Sequence, residues 1–253
     1  MHEAIEFAIF DIETRVDKQL LNRVLFAHDN ISDDEAYWRF REELRTRGGD
    51  FFPLTLHVPI SIAIGNVTGD HILHGIQTLG MSGDSEEELV REFWKRIEDF
   101  RGCLISFNGR CFDLPVLELG AMRWGISAPH YFDNGDSARS RDALERHLDL
   151  YEYLTNFGEV GLRGGMDLLL KMLGLPGKLA MNGAMVQEYY DSGRLDEIHH
   201  YCRTDVVQTY FLFLRVELMR GRLDQAGYQA AWSAALPFLE ELRAAGGKPG
   251  TVE

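Results

Sequence analysis

A nearly unbroken apolar run close to the N-terminus ends abruptly in two carboxylates: Phe7-Ala-Ile-Phe-Asp11-Ile-Glu13-Thr14. Residues 5–12 alternate only weakly, which predicts a strand covered on both faces. Side chains two apart on a strand share a face, so Asp11 and Glu13 are expected to project together from the strand's C-terminal end. Carboxylates crowded in this way repel unless a cation lies between them, and hard oxygen donors suit Mg²⁺ or Mn²⁺. A strand fading into a polar turn has the same appearance. With 40 acidic residues in 253, an Asp-x-Glu pair is common, so the chemistry must be read from what lies downstream.

Composition narrows the classes. With 45% hydrophobic and 26% charged residues the chain has ample material for a core, enough for one large α/β domain or two small ones. It has no internal repeat and no low-complexity linker, which favours one domain over residues 1–245 with a flexible tail at 246–253. No apolar run approaches the roughly 18 residues that crossing a bilayer requires. The opening Met-His-Glu-Ala-Ile-Glu carries no basic region or cleavage site, so a cytoplasmic protein without membrane contact is expected. Cys103, Cys111 and Cys202 are odd in number and lack Cys-x-x-Cys spacing, which argues against disulfides and zinc; Cys103 and Cys202 read as buried thiols. The net charge of −14 counts against a protein that coats long duplexes through phosphate contacts. It leaves room for an enzyme that grips one strand end with bound divalent cations supplying the local positive charge.

In chain order, helices are expected over 17–26 and from Glu35 to Arg45, forming an insertion at 17–56 between the first two strands. Its Arg39, Arg41, Arg45 and Arg47 suit either substrate phosphates or a solvated helix face. Strands follow at 58–67 and 71–79, joined by Thr68-Gly69-Asp70. Ser82-Gly-Asp84-Ser85 precedes a helix with Glu86, Glu87 and Glu88 in its first turn, where the helix dipole favours acids. A fourth strand, Cys103 to Phe107, ends in Asn108-Gly109-Arg-Cys-Phe112-Asp113-Leu-Pro115. There Asp113 reads both as a helix cap and as an acid at the strand's carboxyl edge, where open α/β sheets place their sites. Asp149 reads as structural, because nothing in the sequence pairs it with a second functional group. Gly174-Leu-Pro176-Gly177-Lys178 lacks the glycine spacing of a phosphate-binding loop, although Lys178 remains a candidate phosphate contact. A long helix from Leu195 to about Leu218 places Tyr201 and Asp205 one turn apart on one face. Its second half is strongly apolar, and an Asp buried there needs a partner: a cap, an ion pair with Arg203 or Arg215, or a ligand. A last helix is expected over 223–243.

Taken in order, Asp11-Ile-Glu13-Thr14, Asn108-x₃-Phe112-Asp113 and Tyr201-x₃-Asp205 resemble the three exonuclease motifs of the DEDD superfamily, in the branch whose third motif begins with Tyr. Phe-Asp-Ile-Glu-Thr is similar to the first motif of the proofreading domain of family B DNA polymerases. The chain is too short to include a polymerase, so the resemblance, spanning residues 5 to about 215, is to stand-alone 3′–5′ exonucleases. It implies a ribonuclease H-like α/β fold, a mixed five-stranded sheet flanked by helices, although only four strands are evident here.

The resemblance also implies roles. Asp11, Glu13 and Asp205 would hold one Mg²⁺ or Mn²⁺, with Asp11 bridging to a second ion and Asp113 assisting through water. Such a pair of ions activates water and steadies the leaving oxygen. Tyr201 would orient the attacking water, Asn108 and Phe112 would position the terminal nucleotide, and Thr14 would contact its sugar. The partner would be the 3′ end of a single-stranded nucleic acid, DNA or RNA, and the products nucleoside 5′-monophosphates. An idle binding or protein-interaction module on the same fold is the competing class, and a ribonuclease H-like endonuclease is a third.

Overall fold

The computed structural model of the protein describes residues 4–81, 83–132, 137–175 and 181–246. Five strands form one sheet in the order β3-β2-β1-β4-β5. They are β1 (Ile5–Val16), β2 (His57–Thr68), β3 (Leu73–Leu79), β4 (Cys103–Ser106) and β5 (His147–Asp149). β1 pairs antiparallel with β2, and β2 with β3, whereas β4 lies parallel to β1 and β5 parallel to β4. The sheet is therefore mixed and flanked by helices on both faces, the ribonuclease H-like architecture. The fifth strand, not evident in the sequence, is only three residues long, too short for any periodicity to register.

Between β1 and β2 lie α1 (Lys18–Leu25) and α2 (Asp33–Thr46), which confirms two helices in the inserted segment. Asp17 caps α1 and Ser32 caps α2, each accepting the backbone amide three residues on. The segment has its own small core of Val16, Leu21, Ala36, Tyr37, Phe52 and Leu56. Lys18 ties it to the far end of the chain through Asp191 at 2.6 Å.

The two faces of β1 go to different layers, as strict side-chain alternation requires. Ala8, Phe10 and Ile12 pack with α3 (Glu86–Asp99) and α4 (Asp113–Trp124). Ser85 and Glu88 close a reciprocal capping box at the start of α3. Phe7 and Ile9 point the other way, into the core built around α8 (Leu195–Met219). α8 approaches β2 so closely that a Cβ on Gly65 would lie 3.0 Å from the Val206 side chain. α5 (Leu150–Leu154), α6 (Gly165–Met172), α7 (Val186–Asp191) and α9 (Gln225–Gly246) complete the chain, and α9 packs on α8. No described helix is long and apolar enough to cross a membrane. Cys103 and Cys202 are buried free thiols, as expected, and Cys111 is an exposed one. Lys178 and the expected tail beyond Gly246 lie outside the described residues.

Candidate active site

The acids of the first motif sit within β1, not at its end: the strand runs four residues past Ile12, to Val16. Its antiparallel pairing with β2 continues through Asp11↔Ala63 and Glu13↔Ser61. On the other side, pairing with β4 covers only Phe7 to Ile9. The acids thus lie beyond the carboxyl end of the short parallel strands while one neighbour still holds them. Mixed pairing lengthens the strand without moving the sheet edge at which the acids open.

Asp11 and Glu13 fall on the odd face of β1, toward α8, and α8 brings Asp205 to them. Oxygen atoms of Asp11, Glu13 and Asp205 lie within 4.8 Å of one another. Glu13 and Asp205 are 8% and 6% exposed. The Asp11 carboxyl is driven well above its ordinary range, first by burial and then by the charges of Asp205, Asp113 and Glu13. One of its oxygens, Oδ2, is buried with no hydrogen-bond partner. An orphaned buried acceptor among three converging carboxylates is costly as it stands. An all-oxygen donor set of this kind fits a hard divalent cation.

Tyr201 lies one turn before Asp205, 5% exposed, and its phenol donates to the Asp205 carboxylate. Burial, then the charges of Asp205, Glu13 and Asp11, raise the phenol above its ordinary value, so it keeps its proton. The two arginines that the sequence offered to Asp205 are directed elsewhere: Arg203 pairs with Glu241 at 3.1 Å, and Arg215 lies over the Tyr228 ring.

Asp113 reaches the acids from a third element. It opens α4, whose cap residue is Phe112 and whose Leu114, Val116 and Leu117 pack with the even face of β1. β4 leaves β1 unpaired on that side after Ile9, and the Ile12 amide donates to Asp113 Oδ1 at 3.1 Å. Asp113 is therefore set on the backbone between the two first-motif acids, outside the group of three. Burial pushes its carboxyl up to about 7, against the lowering effect of the Ile12 amide.

The turn that carries Asp113 is fixed by Asp149. This carboxylate, at the end of β5, accepts the amides of Asn108 and Arg110 at 2.9 and 2.8 Å and those of Tyr151 and Glu152 at 3.0 and 3.2 Å. Its structural reading holds. Asn108 occupies the left-handed region at φ 68°, a conformation that Asn tolerates, and its carbonyl accepts the amides of Cys111 and Phe112. A Cβ on Gly109 would lie 2.6 Å from the Ser106 side chain, so that position requires glycine.

Thr14 and Phe112 line a cleft of about 310 Å³ that starts at Glu13, together with Arg41, Phe51 and Gln187. His57 Nε2 donates to the Phe52 carbonyl at 3.3 Å, which leaves Nδ1 to accept the Thr14 hydroxyl at 2.8 Å. Of the insertion's four candidate arginines, Arg41 lines this cleft, whereas Arg39 pairs with Asp29 and Arg47 with Glu43. Phe51 and His57 were not singled out in the sequence. The available signal was the aromatic pair Phe51-Phe52 set directly after the helix-breaking Gly48-Gly49-Asp50.

This sheet order, with acids gathered at its carboxyl edge, defines an exonuclease-type ribonuclease H-like fold of the DEDD kind. Comparison with known proteins agrees. The chain belongs to the family described as predicted 3′–5′ exonucleases related to the exonuclease domain of PolB, whose model matches residues 49–247. The matched region begins after Asp11 and Glu13, so the first acidic pair is supplied by sequence that precedes it. A DNA polymerase from Archaeoglobus fulgidus is 22% identical over 138 residues, which make up 52% of this chain and 17% of that protein. The family B DNA polymerase of Pyrobaculum calidifontis has a similar fold, with a TM-score of 0.53 and 16% identity over 85% of this chain and 25% of the polymerase. Escherichia coli exonuclease I, solved with a dT13 oligonucleotide, aligns at a TM-score of 0.49 and 12% identity, covering 87% of this chain and 42% of its own. The chain therefore spans a quarter or less of the two polymerases.

Proposed function

We propose that the protein is a metal-dependent 3′–5′ exonuclease that releases nucleoside 5′-monophosphates from single-stranded 3′ ends of DNA, or of RNA, by a two-metal-ion mechanism. The observation that carries this reading is the convergence of Asp11, Glu13 and Asp205 within 4.8 Å around a buried Asp11 oxygen that has no partner. Membership of a family related to the exonuclease domain of PolB and a fold shared with a family B DNA polymerase support it.

Asp11, Glu13 and Asp205 would hold the divalent ions, Mg²⁺ or Mn²⁺. When bound, such ions supply the positive charge that activates water and stabilises the leaving 3′ oxygen. Asp113, fixed on the Ile12 amide, contributes a further negative charge beside Asp11 and keeps the β1 backbone in place. Tyr201 orients the attacking water through its hydroxyl. Burial and the neighbouring carboxylates raise its pKa, which favours an orienting hydroxyl over a base near neutral pH. Thr14, with its hydroxyl held by His57, and Phe112, at the rim of the cleft, position the terminal nucleotide. Asn108 acts through the turn that its backbone builds.

The test is digestion of end-labelled single-stranded DNA and RNA with Mg²⁺, Mn²⁺ or EDTA. Mononucleotides that appear only with metal are expected. Internal fragments would instead indicate an endonuclease. Intact substrate under every metal condition would leave an idle module on this fold and refute the proposal.

A further inference from the structure

The cleft that begins at Glu13 and Thr14 has one wall that comes from the insertion between β1 and β2. At the end of the insertion two consecutive phenylalanines point opposite ways. Phe52 is buried in the insertion's core, stacked on Tyr37 with ring centroids 5.0 Å apart and planes 5° from parallel. Phe51 is turned out into the cleft and is 61% exposed. It is nonetheless held in place. His57 stacks on it at 5.2 Å and 24°, Phe112 meets it edge-on at 5.6 Å and 71°, and His57 meets Phe112 edge-on at 5.0 Å. The three rings therefore form one rigid aromatic corner, built from the insertion, from β2 and from the turn before α4. Glu13 of the acid group also lines this cleft.

An exposed aromatic ring that is fixed by its neighbours and presents an open face is a stacking surface. Every nucleobase has a π-face, so such a surface accepts any base without reading its identity. A volume of about 310 Å³ is at the small end for ligand clefts, suited to one nucleotide. We propose that Phe51, supported by His57 and Phe112, is the platform on which the 3′-terminal base stacks, and that the insertion serves to complete the base subsite. This inference rests on the exonuclease reading, because a terminal phosphodiester held at the acid group is what directs the adjoining base into the cleft. It gives the site base-tolerant selectivity for an unpaired end, since only an unpaired base is free to lie against the ring. Arg41, on the same wall, places one cation within reach of the nucleotide.

The experiment measures equilibrium binding of a fluorescein-labelled oligothymidylate of about eight nucleotides, with Ca²⁺ replacing Mg²⁺. One probe carries an intact 3′-terminal base and the other an abasic 3′ terminus. Base stacking of the usual strength predicts that the wild type binds the intact end between about fivefold and a hundredfold more tightly. In F51A the two ends should bind alike, and F51W should restore the difference. Phe51 is mostly exposed, so F51A is expected to melt as the wild type does. F51L, which keeps bulk but lacks the π-face, should lose the discrimination in the same way. A wild type that does not distinguish the ends, an F51A protein that still does, or an absence of binding overturns the assignment. End-dependent binding without hydrolysis of either probe in Mg²⁺ or Mn²⁺ would support the subsite while refuting the exonuclease reading, so the two failures are distinguishable.

Discussion

Replacing Asp113 by Asn in metal-free protein should stabilise the fold at alkaline pH, although it removes a residue of the proposed active site. The wild-type carboxyl is raised from its usual value of 3.8 to about 7, chiefly by burial. A raised folded-state pKa means that the native state favours the protonated form. The stability this group contributes is complete below about pH 4 and is lost as pH rises through about 7. At 1.36 kcal/mol per pH unit, the loss by pH 8 is about 4 kcal/mol. Of this, only about 1.6 kcal/mol has already been lost at pH 5. Asp113→Asn is neutral throughout, and an amide oxygen can still accept from the Ile12 amide that now donates to Oδ1. The variant in EDTA at pH 8 should therefore be up to about 4 kcal/mol more stable, a rise in Tm of up to about 8–16 °C for a chain of this size. The gain should fall by more than half at pH 5. Saturating Mg²⁺ should also reduce it, because a cation beside the acids favours the ionised wild type. Thermal melts at the two pH values, each with EDTA and with Mg²⁺, provide the measurement. A variant that is neutral or destabilised at pH 8 in EDTA, or whose gain persists unchanged at pH 5, would show that the ionised carboxylate is accommodated without cost and that the charge argument for the site is wrong.

Mg²⁺ or Mn²⁺ should raise the Tm of the wild type relative to EDTA, and Asp11→Ala or Asp205→Ala should reduce that response; superimposed wild-type melts would contradict it. Tyr201→Phe should lower turnover about tenfold or more while leaving the metal-dependent Tm shift largely intact, because what is lost is a hydroxyl donor and not a ligand; full activity would remove Tyr201 from the chemistry. Asp149→Ala strips a common acceptor from four backbone amides and should cost about 3 kcal/mol, or about 6–12 °C in Tm. An unchanged melt would show that the turn before α4 holds itself.

What the sequence made legible was local. Asp11 and Glu13 share a face because they are two apart on a strand, and Tyr201 and Asp205 do because they are four apart on a helix. The three motifs could be placed on their elements before any long-range contact was known. What stayed hidden depended on partners distant in sequence. β1 extends to Val16 because β2 pairs with it there, a constraint invisible in Thr14-Arg15-Val16 itself. β5 is three residues whose strand character comes from lying beside Leu104 to Ser106. Asp113 carries the same kind of side chain as the other acids, but its place on the Ile12 amide follows from where α4 begins beside β1, and composition does not encode that. The insertion was legible as two helices, yet its contribution to the cleft depends on Phe51 and Phe52 turning opposite ways at its end.

The arrangement also accounts for how so acidic a chain keeps a cluster of carboxylates together. Flexible segments would let Asp11, Glu13 and Asp205 swing apart and relieve their repulsion. Here Asp11 and Glu13 lie on a strand hydrogen-bonded along β2, and Asp205 on a helix whose following turns are buried. Packing that starts beside the acids and runs away from them, from Ile9 and Ala63 through Val206 to Phe213, holds them within 4.8 Å of one another. The fold thus stores an electrostatic cost at one sheet edge that a divalent cation would relieve. The net charge of −14 is consistent with this reading, because the positive charge a nucleic-acid strand requires would arrive with the ions and need not be spread over the protein surface.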